Sequence, residues 1–137
     1  MLGITKFTVR DMTLTPVSPR GPPTIRCQIG FAYLDGVMIE VIEPVSGDAE
    51  LHTSALPASG FAIVLHHLAY LVDEAADWQA FRDRVDPAAL VFESPRSSLG
   101  SLSYLYVDTR DQLGHYLEYM QVSPERHAAL RAMIPAN

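Results

Sequence analysis

The chain has 137 residues, enough for one compact domain with a sizeable core, and its 48% hydrophobic against 19% charged residues exclude disorder. A formal net charge of −6 and a pI of about 5.2 repel phosphate backbones, so neither nucleic acid nor an anionic membrane is an expected partner. A single cysteine, Cys27, leaves no intramolecular disulfide and no cysteine-built zinc cluster.

No apolar run approaches the ~20 residues that a membrane helix needs. Met1-Leu2-Gly3-Ile4-Thr5-Lys6 lacks the regions of a signal peptide, so a cytoplasmic protein is expected. Residues 5–14, rich in Thr and Val, read as a strand. Pro16, Pro19, Gly21, Pro22 and Pro23 then impose a long turn. A second strand follows over 25–34, in which Cys27 reads as a packed thiol. Asp35-Gly36 marks a two-residue hairpin into a returning strand over 37–43. The stretch 45–60 reads as a linker with a helical turn around 49–55.

The second half opens with the most strand-like run, 61–72. An amphipathic helix over 74–85 follows, with Trp78, Phe81 and Val85 on one face. Short strands are expected over 90–93, 102–107 and 115–122, with loops over 94–100 and 108–114. Ser123 caps a closing helix that begins at Pro124. Neither Ser97-Ser98 nor Ser101 and Ser103 sit in a Gly-x-Ser-x-Gly elbow, which argues against a serine hydrolase. His52 and His115, beside turns, read as solvated.

An internal repeat carries most of the information. Phe31-Ala32-Tyr33-Leu34-Asp35 matches Tyr104-Leu105-Tyr106-Val107-Asp108, and each returning strand places a glutamate four residues after a glycine: Gly36 to Glu40, Gly114 to Glu118. Strand side chains alternate between faces. Glu40 thus points away from Ile39 and Val41, and Glu118 away from Leu117 and Tyr119. The same alternation groups His66 with Leu68, Tyr70 and Val72 on the helix-packing side, and His67 with Leu65, Ala69 and Leu71 on the other. Two glutamates among apolar neighbours are costly to bury unless paired or coordinated. With one imidazole they make a mixed N/O set suited to Zn, Mn, Fe, Co or Ni rather than calcium. Taken singly, each glutamate reads equally well as a half-exposed strand end and His67 as a core histidine. Tyr33, Tyr104, Tyr106 and Tyr116 either line a pocket or pack.

Val37-Met38-Ile39-Glu40-Val41-Ile42-Glu43-Pro44, Leu65-His66-His67-Leu68-Ala69-Tyr70 and Leu113-Gly114-His115-Tyr116-Leu117-Glu118-Tyr119 resemble the vicinal oxygen chelate superfamily. Its members include glyoxalase I, methylmalonyl-CoA epimerase, extradiol dioxygenases and bleomycin-resistance proteins. The resemblance runs from about Thr5 to Pro124 and is nearest to uncharacterised bacterial glyoxalase-like members. It implies an α+β fold in which paired βαβββ modules form an open β-cup. Here one domain spans 1–137, with module one over 5–44, module two over 61–122 and a C-terminal helix over 124–134. Module one lacks a counterpart of the strand and helix that open module two.

The resemblance also implies that Glu40, His67 and Glu118 ligate a divalent transition metal, with no candidate for a fourth ligand. It implies a metal-dependent lyase, isomerase or epimerase acting on a small carbonyl or hydroxy-acid compound, with Glu118 or Glu40 as the catalytic carboxylate. The alternatives are a metal-free protein that sequesters a small molecule among the four tyrosines, and an inactive, truncated remnant. A homodimer is expected to cover the face that the missing strand and helix leave open.

Overall fold

The computed structural model describes residues 3–72, 75–95 and 102–137. Loop residues 96–100, with Ser97-Ser98, and Ser101 lie outside them. The fold is α+β. β1 (Thr8–Leu14), β2 (Ile25–Leu34) and β3 (Val37–Gly47) form an antiparallel sheet in the order β1-β2-β3. A short α1 (Glu50–Thr53) precedes the second sheet. There β4 (His67–Leu71), β5 (Leu90–Glu93), β6 (Leu102–Val107) and β7 (Tyr116–Val122) take the order β4-β7-β6-β5, with β4 parallel to β7. α2 (Ala75–Arg82) crosses from β4 to β5, α3 (Arg110–Leu113) lies between β6 and β7, and α4 (Pro124–Met133) follows β7.

The hairpin between β2 and β3 has the expected two-residue turn. Asp35 at φ 48° and Gly36 at φ 83° both sit in the left-handed region, the requirement of a type I′ turn whose twist matches the strands. β3 runs to Gly47 rather than stopping at Glu43. It ends where a side chain at Gly47 would collide with the Thr24 carbonyl.

Among the described residues, one bridge joins the two sheets. Val17 and Glu93 exchange both backbone hydrogen bonds at 2.8 Å, which continues the strand order from β1 into β5. β3 and β4 are then the two outer strands of the series. Their side chains nevertheless meet, since Glu40 on β3 lies 3.3 Å from His67 on β4. The strands therefore wrap around a concave face and bring its two ends together. Tyr33 donates its N–H to Pro135 and accepts from Asn137, which ties the C-terminal residues alongside β2.

The inward face of β2 buries Ile25, Cys27 and Ile29, and inside the second sheet Phe92, Tyr106 and Tyr116 cluster with Leu51, Val91 and Tyr104. Outside, Phe81 of α2 packs on Tyr119 with ring centroids 4.3 Å apart, and Trp78 is buried. Arg82 donates two hydrogen bonds to Glu93, at 2.7 and 3.0 Å, and fixes α2 to β5. Leu105, on the same outer side, is fully buried. Leu105→Ala is expected to cost about 3 kcal/mol through lost burial and a residual cavity, read as a fall in thermal midpoint of roughly 10 °C.

Two expectations about the second half need correction. The strand expected over 61–72 is confined to His67–Leu71, because its parallel partner β7 begins at Tyr116, opposite His67. Phe61, Ile63 and Leu65 stay outside the ladder, 92%, 73% and 62% exposed. The helix expected to reach Val85 ends at Arg82, and Arg84 and Val85 close it with tight i to i−3 bonds to Phe81 and Arg82. α3 was not anticipated. Among the described residues, no helix is long and apolar enough to cross a membrane.

Candidate metal centre

Each member of the Glu40–His67–Glu118 group is placed by a different strand. Glu40 faces inward from β3, paired with Phe31 of β2. Glu118 sits in the middle of β7, between Ala69 of β4 and Tyr106 of β6, and is 7% exposed. His67 is the first residue of β4. Their donor atoms all lie within 4.8 Å of one another.

The paired register sharpens the repeat. Glu40 lies opposite Phe31 and Glu118 opposite Tyr106, so the structural equivalent of Phe31 is Tyr106, not Tyr104. The sequence alignment is shifted by two residues because β2 and β3 join through a tight turn, while residues 108–115 form a longer connection carrying α3. An even shift preserves the face, so both glutamates still point inward.

The spacing bears on two descriptions of the group, a hydrogen-bonded ion pair and a ligand set. His67 Nε2 lies 3.3 Å from a carboxylate oxygen of Glu40 and 3.3 Å from one of Glu118. Charge-assisted N–H···O bonds close to about 2.7–2.9 Å. Two donors at about 2.0–2.1 Å from one tetrahedral ion stand roughly 3.3 Å apart. Both distances from His67 match those between ligands of a small divalent ion, so the group could hold one, and the chemistry of the set suits a transition metal.

The electrostatics follow from burial. Burial by itself would lower the His67 imidazole, but hydrogen bonds and charge from Glu118 and Glu40 outweigh it and hold its pKa up at about 9. Burial raises Glu118, partly offset by His67 and reinforced by the nearby charge of Glu40. Tyr106, whose hydroxyl lies 3.4 Å from His67 Nε2, is pushed far above the ordinary phenol value by burial and then by the two carboxylates. Tyr104 is raised to about 12 by burial and Glu118.

The four tyrosines expected at a pocket have different surroundings. Tyr106 touches the centre and Tyr104 senses its charge. Tyr33 lies one inward-facing pair beyond Phe31, with the Arg131 guanidinium 5.1 Å over its ring. Tyr116 packs against His66 at 5.0 Å and takes Arg110 on its ring, and makes no contact with the carboxylates among the described residues.

Two expectations about histidines need correction, His66 on the helix-packing side and His52 in solvent, since both lie behind the centre. His66 precedes β4, so alternation does not govern it, and it turns inward instead of joining Leu68 and Tyr70 against α2. It stacks on His52, ring centroids 4.7 Å apart, and its Nδ1 lies 3.0 Å from His67 Nδ1. His52 is 6% exposed rather than solvated, because α1 folds it under. Burial first, then the neighbouring imidazoles, lowers both His52 and His66 to about 4. The His66-His67 doublet was visible in the sequence; nothing there indicated that His52 would reach it.

A separate apolar groove of about 450 Å³ lies on the opposite, helix-bearing face of the four-stranded sheet, walled by Tyr70, Phe81, Leu117 and Tyr119. It does not open onto the carboxylates, because Leu117 and Tyr119 alternate with Glu118 on β7. No protein-family model matches the chain, and no curated protein matches it.

Proposed function

We propose that this chain is a cytoplasmic, metal-dependent enzyme of the glyoxalase-like, vicinal oxygen chelate kind, a lyase, isomerase or epimerase of a small carbonyl or hydroxy-acid compound. The observation that carries the reading is the Glu40–His67–Glu118 group, with its 3.3 Å ligand-like spacing, at the point where the two ends of a wrapped sheet meet. The reading is supported by the strand order β4-β7-β6-β5, with α2 as crossover, which fits one βαβββ module, and by β1-β2-β3, which fits three strands of a second.

When bound, a divalent Zn, Mn, Fe, Co or Ni ion supplies Lewis-acid polarisation of two neighbouring substrate oxygens. Glu40, His67 and Glu118 hold it. Glu118 or Glu40 would take and return the proton, and burial raises the pKa of Glu118. Tyr106 offers a hydroxyl beside the same atoms, and Tyr104 and Tyr33 line the concave face around it.

The test follows the proton. Small α-hydroxy and dicarbonyl compounds in D2O with the metal-loaded protein are expected to exchange their α-hydrogen, read by NMR, and Glu118→Gln is expected to stop the exchange. A panel without exchange above the free-ion control counts against the reading. One observation favours a second reading, a metal-free binding protein: an imidazolium between two carboxylates is already compensated without an ion. Such a protein would bind aromatic ligands equally well after chelation.

We also propose that a second copy of the chain covers the two free edges. Among the described residues β3 pairs only with β2 and β4 only with β7, and both expose apolar side chains, with Val37 and Val45 at 60%, Tyr70 at 51% and Leu71 at 52%. Light scattering at micromolar concentration should give the mass of a dimer; a monomer alone contradicts it.

A further inference from the structure

We propose that His66 is a positioning residue that fixes the tautomer and orientation of His67, so that Nε2 of His67 faces the two glutamates and is the nitrogen left to bind an ion. The inference rests on the metal reading above and goes beyond its three ligands. His66 is held at both ring nitrogens. Its Nε2 lies 3.1 Å from the Leu51 carbonyl, which can only accept, so that nitrogen carries a proton. Its ring is enclosed by His52, Tyr116 and Tyr106, and no ion pair reaches it among the described residues. A neutral imidazole protonated at Nε2 has a bare Nδ1, and the group facing that Nδ1, at 3.0 Å, is His67 Nδ1.

The hydrogen bond therefore runs from His67 Nδ1–H to His66 Nδ1. It leaves His67 Nε2 as the nitrogen among the oxygens of Glu40, Glu118 and Tyr106, at 3.3, 3.3 and 3.4 Å. Metal-bound histidines generally depend on such an outer partner at the second ring nitrogen, most often a carboxylate or a carbonyl. Here a second imidazole fills that role, anchored by the backbone of α1 and by its stack on His52. The loop that carries α1 is thereby coupled to the centre through one hydrogen bond.

Two substitutions separate hydrogen bonding from packing. His66→Phe keeps a ring against His52 and Tyr116 but removes the acceptor. His66→Asn loses the ring but places an amide oxygen near the position of Nδ1. Zinc affinity, measured by competition with a chromophoric chelator, is expected to fall about 10–100-fold in His66→Phe and to stay within about threefold of the parent in His66→Asn. In the zinc-loaded parent, long-range ¹⁵N–¹H correlation should place a slowly exchanging proton on His67 Nδ1. Equal affinity in both variants, equal loss in both, or a proton on His67 Nε2 overturns the inference while leaving the metal reading intact. A parent protein that binds no zinc overturns both. The NMR measurement needs no variant, so it decides the question even where a substituted chain fails to fold.

Discussion

His67→Ala is expected to abolish divalent-ion binding and to unfold more easily, whereas Glu118→Gln is expected to lose the ion and keep its stability. The contrast arises from burial. Taking away His67 leaves Glu118, 7% exposed, without its cationic partner and beside a second carboxylate. Breaking a buried pair in this way costs about 3 kcal/mol or more. Glu118 itself sits where its charge is disfavoured, as the upward shift of its pKa records. A neutral amide of the same shape relieves that cost and leaves His67 paired with Glu40, so stability should stay within about 1 kcal/mol of the parent. Ion affinity should fall in both variants by more than the roughly 10–100-fold that an outer partner controls. Denaturant unfolding and metal competition on the same samples read both effects. Equal stability losses would contradict the assignment of Glu118 as the disfavoured charge.

The pH dependence of stability should be peaked near 6.5 without metal and lose its alkaline limb with metal. In the unfolded chain all histidines titrate near about 6.5. His52 and His66 are held neutral in the fold down to about 4, so between pH 4 and 6.5 the unfolded state binds more protons and stability rises with pH. Glu118, raised by burial, opposes this in part. His67 behaves in the opposite sense. It keeps its proton in the fold up to about 9, so its contribution is complete below pH 6.5 and is lost as the pH climbs through 9. At 1.36 kcal/mol per pKa unit, that alkaline limb amounts to roughly 3 kcal/mol. A metal ion must displace the same proton, so its apparent affinity should rise by about tenfold per pH unit until near 9 and then level off. Thermal midpoints across pH 4–10, with chelator and with saturating zinc, give both curves. A stability that rises monotonically through pH 9 in the chelated protein would contradict the central role of His67.

The position of the centre was legible because it depends on two local rules, strand alternation and a repeated glycine-to-glutamate offset. Both survive the two-residue shift from Tyr104 to Tyr106 as the counterpart of Phe31, since an even shift keeps Glu40 and Glu118 on the inner face. The Asp35-Gly36 hairpin and the Ser123 cap, whose Oγ accepts from Arg126 at 3.3 Å, are likewise short-range devices. The start of β4 was not legible. It is set by where β7 begins, a parallel pairing between residues far apart in the chain, and an apolar run such as 61–65 carries no mark of lacking a partner. The burial of His52 has the same origin, since α1 is too short to declare its buried side by periodicity.

The metal centre is the claim on which the rest depends, and diffraction locates it most directly. Crystals grown with excess zinc, measured on both sides of the zinc absorption edge, should show one strong anomalous peak bounded by His67 Nε2 and the carboxylates of Glu40 and Glu118, at about 2.0–2.2 Å from each. No peak there in zinc-saturated crystals, with His67 still paired to both glutamates, would contradict the account.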